Sequence, residues 1–111
     1  MQPCANFWLE KDGKVVLSEW RVALLEAVEE TGSISAAALK QGVHFRVAWR
    51  KLKEMEEGLG VKLTQRVVGG KHGGGACLTP EGQRYVCHFR KFTAGLKEIV
   101  DKRFSEAFQQ G

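Results

Sequence analysis

The sequence predicts a mainly α-helical domain with a small β wing. Three observations predict it. Two stretches of helical periodicity, the second beginning near Phe45, are joined by a tight link containing Gly42. Two short strand-like runs flank a glycine-rich link at residues 69–75. After Pro80 no proline recurs, and a broad apolar stripe continues to Phe108. The 111 residues suit one domain, residues 1–111, and argue against two. With 43% apolar and 27% charged residues, the chain has the composition of a globular protein.

The elements follow in order. Phe7-Trp8-Leu9 and Val15-Val16-Leu17 are rich in strand formers, so residues 6–17 read as a hairpin. Its link contains Asp12-Gly13, a turn signal, and is expected to be longer than two residues. Ser18 is a good N-cap with Glu19 in the first turn. Trp20, Ala23, Leu24, Ala27 and Val28 then recur at helical spacing as far as about Glu30, and Gly32 suits a left-handed cap. Ser33 or Ser35 caps a short second helix, which Gly42 ends. Val47, Ala48, Leu52 and Met55 give a third, roughly Phe45 to Glu57. Residues 18–57 thus hold three helices, the last two joined as in a helix-turn-helix. An ordinary helical hairpin shares the same small residues.

Residues 61–78 read as the wing: Val61–Val68 alternates as a strand, and Ala76-Cys77-Leu78 is its partner. Five of the 13 glycines fall between residues 69 and 75. A Walker loop needs Gly-Lys followed by Ser or Thr and a helix, whereas Lys71 precedes His72 and a strand. The loop therefore reads as a hairpin tip carrying Lys71 and His72, reaching a DNA backbone or simply mobile. Thr79-Pro80-Glu81 opens the last helix with a cap, a first-turn proline and an acid. One helix is expected over residues 80–108, about 43 Å long.

Charge is segregated. The net charge is +4. Residues 31–53 carry Lys40, Arg46, Arg50, Lys51 and Lys53 with no acid, and residues 58–80 carry Lys62, Arg66 and Lys71 with none. Acids cluster elsewhere, as at Glu54, Glu56 and Glu57. This is the footprint of a polyanion binder, or else a set of solvated helix faces. If the third helix turns Val47, Ala48, Leu52 and Met55 inward, then His44, Phe45, Arg46, Trp49, Arg50 and Lys53 lie outside or on the border. A core position suits Phe45 and Trp49. It does not suit Arg46, Arg50 and Lys53 together. Arginine matches guanine edges in the major groove, and lysine suits a phosphate.

Other functions lack their residues. The three histidines are far apart and none adjoins an obvious carboxylate, so no enzyme and no cofactor are expected. Cys87-His88 and His72 match no common zinc spacing, so no metal is expected. Cys4, Cys77 and Cys87 form no disulfide framework; together with a start lacking a signal-peptide pattern, they suggest a cytoplasmic chain. No run reaches the roughly 20 apolar residues of a membrane helix, so no membrane partner is expected.

The order hairpin, helix, helix-turn-helix, wing and long helix is that of a winged helix-turn-helix. The stretch Gly32-Ser-Ile-Ser-Ala-Ala-Ala, then Ala48-Trp49, then Gly69-Gly-Lys-His-Gly-Gly-Gly-Ala-Cys-Leu-Thr-Pro-Glu-Gly-Gln-Arg84 resembles the N-terminal DNA-binding domain of the molybdate-responsive ModE regulators. Leu59-Gly60 and Leu78-Thr79-Pro-Glu-Gly resemble LysR-type domains. The resemblance covers about Phe7 to Phe108. It implies a homodimeric transcriptional regulator of double-stranded DNA, joined through the last helix and the N-terminal strands. Arg46, Trp49 and Arg50 fall in its recognition helix, and Lys71 and His72 in its wing. The chain ends at Gly111, short of the family's oxyanion modules, so molybdate binding is not expected to carry over. Arg66 in the wing completes the expected DNA-binding set.

Surplus apolar surface points to the same assembly. Tyr85, Phe89, Phe92, Leu96, Ile99 and Phe104 exceed what a small body covers, so the last helix is expected to be a dimerisation helix. A helix bending back at Gly95 onto its own core is the alternative. A protein-interaction module built on this helix, with the basic face merely solvated, is the rival function.

Overall fold

The computed structural model describes residues 1–68 and 75–109. Strands β1 (Trp8–Lys11) and β2 (Lys14–Ser18) form a first antiparallel pair. Three helices follow: α1 (Glu19–Thr31), α2 (Ile34–Lys40) and α3 (Phe45–Leu59). Strands β3 (Thr64–Val67) and β4 (Gly75–Leu78) form the second pair, and α4 (Pro80–Thr93) and α5 (Leu96–Ala107) complete the chain. This is a winged helix-turn-helix, mainly α with a small β wing.

Side-chain caps start the helices where the sequence puts them. Ser18 accepts from the Arg21 N–H, Ser33 from Ala36 and Thr79 from Gly82. Ser33, not Ser35, therefore caps α2. The first hairpin is tighter than expected. Its link is only Asp12 and Gly13, with φ of 54° and 78°. Both central residues occupy the left-handed region, which Asp tolerates and Gly adopts freely, so two residues suffice to reverse the chain. Leu9 pairs with Leu17 and Glu10 with Val15, leaving Val16 as a bulge. Val16 is buried, and it lies so close to Gly58 of α3 that a Cβ there would meet its Cγ1 at 2.6 Å.

The core is one cluster. It joins Val22, Leu24, Leu25 and Val28 of α1 to Ala37 and Ala38 of α2, Ala48, Leu52 and Met55 of α3, Leu63, Leu78 and Phe89. The two alanines of α2 let it seat closely against α1 and α3. Backbone bonds then tie the wing to the helices. The Ala76 N–H donates to the Gly32 carbonyl, and the Thr79 N–H to that of Leu63. Gly82 sits so near the latter carbonyl that a Cβ would lie 2.2 Å from its oxygen. Gly82→Ala exchanges a helix-weakening residue for the best helix former, yet it is expected to destabilise the fold by about 2 kcal/mol or more, because backbone must move to admit the methyl. Calorimetry should register this as a fall in Tm of roughly 10 °C; a Tm at or above that of the parent would refute the clash.

The C-terminal segment departs from the expected single helix. It breaks at Ala94 and Gly95, where Gly95 takes φ 78°. Ala94 has already left helical geometry, with ψ 126°. Nor does the chain bend back onto its core: no residue of α5 is buried, and the molecule is 65 Å long by 29 Å wide. One residue assigned to dimerisation, Phe89, serves the chain's own body instead. Phe89 is 1% exposed at the centre of the core, and Tyr85 is partly buried against it. The apolar stripe of a helix does not reveal where its own domain stops covering it. No helix among the described residues is long and apolar enough to cross a membrane. Cys4, Cys77 and Cys87 are free thiols.

Candidate nucleic-acid interface

Helix α3 carries the site. Its N-cap is His44, whose Nδ1 accepts the Arg46 N–H at 3.3 Å; its C-cap is Gly60 at φ 74°. With Ala48, Leu52 and Met55 inward, the opposite face presents Phe45, Arg46, Trp49 and Arg50 to solvent. Phe45 is 43% and Trp49 47% exposed, so neither takes the core position that their size suggested. Arg46 and Arg50 are four residues apart and share one side of the helix. Among the described residues no carboxylate lies within 4 Å of either.

Three nearby cations do have partners. Lys53 stands 5.3 Å above the Trp49 ring and 3.6 Å from Glu56. The exposed indole thus keeps a cation on its face. Lys40 pairs with Glu30, and Lys51 with Glu54. The exposed face of α3 borders a groove of about 700 Å³, closed on its other sides by the start of α2 and by the wing. Phe45, Trp49, Lys53 and Arg66 all line it. The fold therefore brings the wing cation Arg66 into one groove with Phe45, Trp49 and Lys53. Lys71 and His72 lie outside the described residues.

Three charged residues that frame the site were not singled out from the sequence. Glu56 is 7% exposed and accepts from the N–H groups of Leu63 at 2.8 Å and Thr64 at 3.3 Å, where the chain enters the wing. Glu29 of α1 accepts from the Leu78 N–H at 2.9 Å, at the wing's other strand. Arg90 of α4 grips Glu26 through two nitrogens, at 3.1 and 2.5 Å, and Glu19 at 2.6 Å. The bonds to Glu26 hold its guanidinium above the ordinary arginine range, with Glu19 adding to them against a smaller opposing effect of burial. The pairing aligns α4 with α1. No local spacing flags Glu29 or Arg90, because their partners lie far away in sequence.

Comparison with known proteins agrees with this geometry. Residues 21–83 match the bacterial regulatory helix-turn-helix proteins of the lysR family. The chain is 39% identical over 92 residues to the molybdenum-pterin-binding protein MopB of Rhodobacter capsulatus, covering 83% of this chain and 34% of that protein. It is 35% identical over 106 residues to the molybdenum transport protein ModE of Azotobacter vinelandii, covering 96% of this chain and 39% of that one. The chain thus spans little more than a third of the length of these relatives. Among solved structures, the DNA-binding domain of CbnR in a DNA complex superposes with a TM-score of 0.62 at 24% identity, over 80% of this chain and 98% of that one. That likeness establishes the fold. Matching over more than half its length, the chain belongs to the lysR family of bacterial regulatory helix-turn-helix proteins.

Proposed function

We propose that this chain is the DNA-reading part of a transcriptional regulator. Helix α3 enters the major groove with Arg46 and Arg50 toward base edges, Phe45, Trp49 and His44 on sugars or thymine methyls, and Lys53 on phosphate. Arg66, with Lys71 and His72, serves the flanking backbone. The observation that carries this reading is the pair Arg46 and Arg50, exposed on one helix face with no carboxylate within 4 Å among the described residues. An arginine pair with no internal partner keeps its full capacity for an anionic ligand. Family membership favours a regulator over an enzyme. Fluorescence anisotropy on a mixed-sequence duplex tests the reading. Affinity is expected to fall about a hundredfold or more between 50 and 200 mM salt, the loss for several neutralised phosphates. Binding that ignores salt, or none at low salt, would instead favour a protein-interaction module.

Dimerisation belongs to the same proposal. Phe92, Ile99 and Phe108 are exposed, while Leu96, Val100 and Phe104 are only partly covered. The Phe104 and Phe108 rings lie 4.9 Å apart, so the apolar row continues to the tip of the arm. A second copy of the arm covers it and places two recognition helices about 34–36 Å apart on one side of the duplex. Ile99→Glu is expected to halve the mass measured by light scattering and to weaken DNA binding. A monomer mass for the parent protein at tens of micromolar would rule the dimer out.

A further inference from the structure

Among the described residues Glu56 is the one buried acid, and its contacts are unusual. Oε2 receives two backbone N–H groups, from Leu63 and Thr64. Oε1 faces two ammonium groups, Lys53 at 3.6 Å and Lys62 at 3.8 Å. One carboxylate therefore touches the recognition helix, the entry to the wing and both cations that border them. Glu54 and Glu57, its neighbours in sequence, lack this arrangement: Glu54 is partly exposed and paired with Arg21 and Lys51, and Glu57 is exposed.

We infer that Glu56 is a positioning residue of the DNA interface. This rests on the reading of α3 and the wing as the DNA-binding face. The argument is geometric. A recognition helix and a wing bind one duplex together only if their separation is fixed. Strand β3 starts at Thr64, the second of the two residues whose amides Glu56 holds, so the carboxylate sets where the strand leaves α3. It also gathers Lys53 from the helix and Lys62 from the link, which otherwise repel each other, where α3 gives way to the wing. Lys62 thereby joins Lys53 as a phosphate contact. The same negative charge draws on both lysines and restrains their attraction for phosphate. Glu56 thus holds the geometry at the expense of affinity.

Two substitutions separate these effects, because they change net charge equally. Glu56→Gln keeps an oxygen that accepts from Leu63 and Thr64 but removes the charge. Glu56→Leu removes both. Each is measured by anisotropy on the same duplex across a salt series, at a temperature where circular dichroism reports it folded, with hydrogen exchange read at the two amides. E56Q is expected to retain amide protection and to bind about three- to tenfold more tightly than the parent at low salt, with a steeper salt dependence. E56L is expected to lose that protection and to bind at least tenfold more weakly than E56Q. Equal affinities for the two variants beside a binding parent would overturn the role of Glu56. A parent that does not bind duplex DNA would overturn the functional reading and this inference with it.

Discussion

Replacing Arg46 and Arg50 together by alanine is expected to weaken binding to the preferred duplex by about 2–6 kcal/mol, taking roughly 1–3 kcal/mol for each base contact. The two changes should also flatten discrimination between sequences, which marks a loss of base reading. A phosphate contact behaves differently: Lys53→Ala should weaken all duplexes alike and lower the salt slope by about one. Stability gives an independent control. Both arginines are exposed and without an ion pair among the described residues, so their removal should leave Tm within the range of ordinary surface substitutions. Measured affinities of the double variant for a cognate and a scrambled duplex decide the matter. Undiminished preference for the cognate duplex would remove α3 from the reading role.

Phe89→Ala is expected to cost about 3–5 kcal/mol of folding stability, the loss typical of a large buried aromatic. The ring is 1% exposed and lies edge-on to Phe92, with centroids 6.1 Å apart. Its removal leaves a hole between α4 and α1 that the clustered leucines fill only by moving. For a domain of this size such a loss is a large part of the whole stability. Urea denaturation at two protein concentrations separates core from subunit seam. Loss of a core ring shifts the midpoint strongly at both concentrations, whereas a residue lying only in the seam lowers the assembled mass and leaves the monomer's midpoint alone. The second pattern would return Phe89 to the dimerisation set.

These three residues mark how far sequence reasoning reached. Arg46 and Arg50 were legible as exposed cations because helical periodicity left them off the apolar stripe, within a stretch, residues 31–53, that carries no acid. Ser18, Ser33 and Thr79 were legible because a cap is a local bond between residues three apart. Phe89 was misplaced because periodicity reports which side of a helix is apolar, and nothing about whether the covering surface comes from the same chain. The break at Gly95 was foreseen only as part of a bend back onto the core, second to an unbroken helix, for a related reason. A glycine inside a helix costs only about 1 kcal/mol, so the stripe running through it outweighed it. Asp12-Gly13 sat inside a longer polar stretch, which concealed how few residues the turn uses. Glu56 was read only as one of three acids clustered at one point of the sequence. Its burial follows from the path of the chain seven residues later, which no window centred on α3 contains.

The bonds between Ala76 and Gly32, and between Leu78 and Glu29, carry a consequence for folding. The second spans 49 positions of the chain. A free-standing two-stranded hairpin is marginal in water and opens on its own. Here the strand β4 completes the end of α1, supplying a donor to the carbonyl of its left-handed cap. Such long closures form late and reward only a nearly complete structure. The amides of Ala76 and Leu78 are therefore set to exchange with solvent at the rate of global unfolding, in step with those of α1. Helix and wing melt as one cooperative unit, so that a protein damaged in its first helix loses, in the same event, the wing that flanks its reading head.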